Sequence, residues 1–152
     1  MKITFEHYFK KTELGLTDFE IKSSENNLGF NIPLQLRNCY LFSNGGGFIK
    51  SHLPSICGTD EGDGVWGIFD LDTMVSTFRT AESNLNIFGE VLELSDKLFP
   101  FTISHYGKKL FIVHSGEGIG KIYISEEKDE EKNFIPVKLI ANSFVEFLDM
   151  LE

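Results

Sequence analysis

Basic residues are scarce in this chain. Fourteen Lys and Arg stand against 23 Asp and Glu, a formal net charge of −9 at pH 7. Nucleic-acid binding draws on Lys and Arg that neutralise phosphates, and anionic membrane surfaces attract the same residues, so neither is expected as a partner. Cysteine is nearly absent. Cys39 and Cys57 lie outside any CxxC pair and are too few for a disulfide framework, so both read as small buried apolar residues. The four prolines are scattered, and no linker, low-complexity tract or internal repeat interrupts the 152 residues. A single domain over 1–152 is expected. No apolar run approaches the roughly 18–20 residues that cross a bilayer. The opening MKITFEHYFKK has no apolar core of a secretory signal. These absences point to a soluble, cytoplasmic chain.

What is present is a large apolar fraction, 41%, with 15 Phe against four Tyr and one Trp. That content excludes intrinsic disorder and supplies a core of rings that carry no polar tip. The negative charge is unevenly placed. Residues 51–96 carry nine acids and only Arg79 as a base, whereas the flanking segments are close to balanced. Such a segment is either a solvated face that maintains solubility or a docking surface for a basic partner.

Local patterns divide the chain into helices first and strands later. Residues 4–11 read as a short helix carrying Phe5, Tyr8 and Phe9. Thr17-Asp18-Phe19-Glu20 is a capping box, and Gly29 is placed to end the helix it opens. Pro33 suits a first helical position, and the stripe Leu34, Leu36, Tyr40, Leu41 is stopped by Asn44-Gly45-Gly46-Gly47. From Phe48 to Gly67 the sequence is Gly-rich and irregular, with short strand-like pieces. Asp70 or Asp72 can cap a helix reaching about residue 86, with Leu71, Met74, Val75 and Phe78 at helical spacing. Strands follow around Phe101–Ile103, Leu110–His114 and Ile122–Ile124, with a turn at Ser115–Gly120. Glu126–Asn133 reads as a charged turn and Pro136–Ile140 as a further strand. Ser143-Phe144-Val145-Glu146 opens a last helix. The order predicts an α+β domain with an antiparallel sheet flanked by helices.

Motifs for catalysis and metal binding fail on their details. Gly116-Glu117-Gly118-Ile119-Gly120-Lys121 departs from the phosphate-loop pattern at Ser115 and Ile122, and it joins two strands where that motif needs a helix. Thr59-Asp60-Glu61-Gly62-Asp63-Gly64 puts Gly62 and Val65 where a calcium loop needs an oxygen and a glycine, so it reads as an acidic surface loop. His7, His52, His105 and His114 have no zinc spacing; a hairpin could set His105 opposite His114, but two ligands do not make a site. No nucleophile elbow occurs. Neither a catalytic residue, a metal nor a cofactor is expected.

Ile21, Glu25, Leu28-Gly29-Phe30, Ile32-Pro33, Leu36, Tyr40 and Asn44-Gly45-Gly46 together resemble the opening signature of the SUKH superfamily. Phe99-Pro100-Phe101 and Gly107, then Gly120-Lys121-Ile122-Tyr123, then Ala141-Asn142-Ser143-Phe144 with Phe147-Leu148, are similar to its later segments. His114 stands where many relatives carry an acid. The resemblance spans Thr17–Leu151. It implies an α+β, SUKH-like fold with no known catalysis. It also implies either a bacterial immunity protein that neutralises a cognate toxin of a polymorphic or contact-dependent system, often a nuclease, or a regulatory adaptor like the fungal cell-wall-assembly regulators.

A nuclease toxin is usually basic, which matches the acidic middle of this chain. Trp66, the single Trp, sits there between glycines as either a core plug or an interface anchor. The expected contact face is Asp60, Glu61, Asp63, Trp66, Asp70 and Asp72. The expected partner is a basic toxin domain, met by a monomer or small homo-oligomer.

Overall fold

The computed structural model describes residues 4–59, 62–83, 97–126 and 136–152. The chain enters through a single 3₁₀ turn at Glu6–Tyr8 and strand β1 (Phe9–Thr12). The helix expected over residues 4–11 is therefore replaced by an edge strand. Its aromatic spacing served two different elements, with Phe9 packing on Phe48 at 5.3 Å between ring centroids. Helix α1 (Asp18–Leu28) begins at the expected capping box. Thr17 Oγ1 accepts from Glu20 N, Glu20 reaches back to Thr17 N, and Gly29 closes the helix at φ 85°. Helix α2 (Leu34–Phe42) follows, with Pro33 at its N-cap, one position earlier than expected.

The glycine run is more than a helix terminator. Gly45 turns the chain at φ 94°, and Gly46–Phe48 is strand β2, the centre of a three-stranded antiparallel sheet. Strand β3 (Gly67–Ile68) completes the order β1-β2-β3, pairing Gly47 with Gly67. Glycine is forced at two of these positions. Gly46 has φ 127°, with room for no Cβ beside Lys11 O at 2.5 Å, and a Cβ on Gly67 would collide with Gly46 O. Asn44 Oδ1 accepts from Leu71 N at 2.9 Å, tying this corner to helix α3 (Leu71–Ser83). Asp70 caps α3 as one of the two expected candidates, accepting from Thr73 N and Thr73 Oγ1.

A second sheet, β4 (Leu98–Ile103), β5 (Lys109–Val113), β6 (Ile122–Ser125) and β7 (Val137–Ala141), is antiparallel in chain order. Pro100 is tolerated because β4 lies at the sheet edge, beside a bulge that adds Phe101. The sheet buries side chains on both faces. Phe99, Phe101, Leu110, Ile112, Ile122 and Ile124 join the main core, while Leu98, Phe111 and Val113 form a smaller cluster on the other side. Helix α4 (Phe144–Met150), capped by Ser143 Oγ on Glu146 N, seals the main core. Phe101 meets Phe144 and Phe147 edge-on, at 5.6 and 5.5 Å between centroids. Each fully buried ring contributes roughly 1.5–3 kcal/mol through area removed from water. Both thiols are free and buried, as expected. The charged turn expected at Glu126–Asn133 lies, beyond Glu126, outside the described residues.

Candidate functional site

The two sheets meet at β3 and β4, and the meeting is incomplete. Phe69 N donates to Phe101 O at 3.4 Å, Thr102 Oγ1 donates to Gly67 O at 2.6 Å, and His105 N donates to Gly64 O at 2.8 Å. Above this seam runs an open trough of about 400 Å³. Its floor is Gly46, Gly47 and Gly67, and its walls include Trp66, Phe69, Ile103 and His105. Neither lysine nor arginine lines it.

Trp66 is 77% exposed on the rim, so it is no core plug. Its position is nevertheless fixed. Trp66 O accepts from Phe48 N at 2.7 Å, Val65 N donates to Ser51 O at 2.7 Å, and the His105 ring packs on the indole at 4.6 Å between centroids. Ile103 and Tyr106 are also exposed, at 37% and 60%, on or beside the β4–β5 turn. An exposed apolar group on a backbone held by hydrogen bonds is what a preorganised contact requires, because little entropy remains to be lost on docking.

The expected acidic residues divide. Asp60 and Glu61 lie outside the described residues. Asp63 is buried, 1% exposed, and serves the loop from within: its Oδ1 accepts from Gly64 N at 2.8 Å and from Tyr106 N at 3.2 Å. Asp63 thereby locks the Trp66 loop onto the β4–β5 turn. Asp70 is partly exposed and Asp72 exposed, at the start of α3. They lie four and six residues beyond Trp66 in the chain, past β3, and neither lines the trough. The structure thus brings Trp66 together with His105, which the sequence pattern offers only as a partner for His114, and with Ile103 in the same trough, which it does not single out. Their signal is weak, since Ile103 reads as a strand end and His105 as one of four histidines without zinc spacing.

The wall at Phe69 is held from below by Tyr40, fully buried, whose hydroxyl donates to Phe69 O at 3.1 Å. Burial pushes the Tyr40 phenol well above its usual range, so it remains a donor. His105 and His114 do not meet. His105 serves Trp66, while His114 stacks on Phe30 at 3.5 Å and shares a 2.6 Å hydrogen bond with Ser115 Oγ. Among the described residues, no three His, Cys, Asp or Glu side chains gather to hold a metal ion. No described helix is long and apolar enough to cross a membrane.

The fold is thus an α+β domain of two antiparallel sheets, with an open trough edged by an exposed aromatic. The chain belongs to the SMI1/KNR4 family (SUKH-1), whose model matches residues 15–150. Members of this family are generally non-enzymatic immunity or regulatory proteins that bind partner proteins. No curated protein matches the sequence.

Proposed function

We propose that this protein is a non-enzymatic immunity protein that binds and neutralises a cognate toxin domain, and that the face around Trp66 makes the contact. The observation that carries the reading is the indole itself: 77% exposed, yet held by backbone hydrogen bonds and by His105. A large side chain is costly to leave in water, and tryptophan is enriched among the residues that dominate interfaces. Residues 51–96, which include Trp66, carry nine acids against one base, within a chain of net charge −9. That favours a basic partner, as a nuclease is, through faster association and close charge pairs. Asp63 belongs to the face indirectly, by holding the loop that presents Trp66.

The test is calorimetric titration with the C-terminal domain encoded by the nearest gene for a large secreted protein, at two salt concentrations. The expected result is one-to-one nanomolar binding that weakens with salt. Trp66→Ala is expected to weaken it by about 30-fold or more, the effect of losing an interface hot spot. Tight binding unaffected by Trp66→Ala would keep the immunity reading and discard this face. Absence of binding would favour a regulatory adaptor.

A further inference from the structure

The trough has a bare floor that the fold only partly requires. Gly46 and Gly67 are needed by strand packing and by backbone conformation. Gly47 is not. Its φ lies outside the left-handed region, and a Cβ there would meet only Trp66 O, at an ordinary 3.5 Å. Glycine inside a strand is less favourable than alanine, and it often marks a place where another backbone approaches closely. Phe48 points into the core, so the alternation of the strand turns the empty position at Gly47 away from it.

The chemistry of the walls narrows the occupant. The Thr102 hydroxyl is committed to Gly67 O, and the Ser104 hydroxyl accepts from Lys108 N. A small polar ligand needs convergent polar groups, and these two are already engaged within the chain. What remains is apolar surface, main chain, the His105 ring and the Trp66 indole it packs against, whose quadrupole attracts cations. Neither lysine nor arginine lines the trough to oppose a positive charge, and the chain as a whole carries −9.

We infer that the trough receives an extended segment of a basic partner, its main chain laid over Gly47 and Gly67 and an arginine or lysine stacked on Trp66. This rests on the reading that the partner docks at Trp66, and it specifies how. Trp66, the single Trp of the chain, is its own reporter. The experiment titrates the intact protein at low salt with a blocked arginine–glycine heptapeptide (Gly-Gly-Arg-Gly-Arg-Gly-Gly) and follows Trp66 fluorescence. The expected result is saturable quenching, about tenfold weaker or more with the glutamate counterpart and in Gly47→Leu. Gly47→Ala, the milder variant, serves if Gly47→Leu does not fold, and fluorescence anisotropy of a labelled peptide repeats the measurement in Trp66→Phe. Three results would overturn the inference: no saturable response, equal affinity for the acidic peptide, or undiminished affinity when the floor is filled. A response that follows protein concentration without peptide would also overturn it, since the trough would then be a seam between copies. Failure here beside a successful toxin titration removes the trough alone; the converse removes the toxin and leaves a peptide site.

Discussion

Replacing Glu25 tests the joint between the first two helices. Glu25 lies in the last turn of α1 and is 5% exposed, a costly place for a carboxylate without partners. Its Oε2 accepts from the backbone of Ile32 at 2.7 Å, and its Oε1 lies 3.5 Å from Arg37 Nε. Arg37 is also bonded to Asp18 at 2.7 Å, so it keeps a partner when Glu25 is removed. The loss therefore falls mainly on the Ile32 N–H, left buried without an acceptor. A hydrogen bond to a charged group is worth about 1.5–3 kcal/mol, and with the weakened Arg37 contact Glu25→Ala should cost about 3 kcal/mol. For a domain of this size each kcal/mol moves Tm by about 2–4 °C, so the melt should fall by roughly 6–12 °C. Glu25→Gln retains an oxygen for Ile32 N and loses only the charge, so its fall should be about half as large. Thermal melts followed by circular dichroism decide. A Glu25→Ala protein that melts with the wild type would refute the reasoning. Equal loss in both variants would move the weight from the Ile32 hydrogen bond to the Arg37 pair.

Two further predictions concern titration and reactivity. Burial, then the hydrogen bond from Tyr8 to Asp149 and the charge of that carboxylate, push the Tyr8 phenol up to about 12. The unfolded chain ionises near 10, so the folded state keeps its proton longer and this contribution is whole below about pH 10 and lost through about pH 12. The stability difference between wild type and Tyr8→Phe should shrink over that window in urea unfolding; a constant difference would contradict it. Burial raises the Cys39 thiol well above its usual range and the Cys57 thiol to about 11, with Lys138 opposing the second shift. Neither should react with a thiol reagent in the native protein, and both should react in urea; rapid labelling of the folded chain would show that the site is open.

Where local chemistry fixes a structure, the sequence announced it. Thr17, Glu20 and Gly29 bound α1, Asp70 opens α3, and Ser143 opens α4, because caps act through neighbours a few residues away. Where the deciding contact is distant, the pattern misled. Phe9–Thr12 became a strand because Gly46–Phe48 offered it an edge, and a strand made largely of glycine has no side-chain alternation to read. Asp63 looked like its solvated acidic neighbours, yet its acceptor is used by Tyr106 N from another hairpin. Trp66 stands out in the sequence, but His105 and Ile103 join it only through the junction of two sheets. Family resemblance reached the fold correctly, since the signature residues mostly build it: Ile21, Leu36, Tyr40 and Phe144 are fully buried.

His52 and Glu152 exchange two main-chain hydrogen bonds, of 3.0 and 2.9 Å, and His52 also bridges Gly64. The strap beneath Trp66 is thus fastened to residue 152. On a ribosome, a nascent chain that has already released Trp66 still lacks the clasp for its pedestal until residue 152 has emerged. Closing so distant a pair is slow compared with forming a local turn. The native shape of the Trp66 loop should therefore arrive late and at once, when synthesis passes that residue, although every side chain around the indole has been made long before.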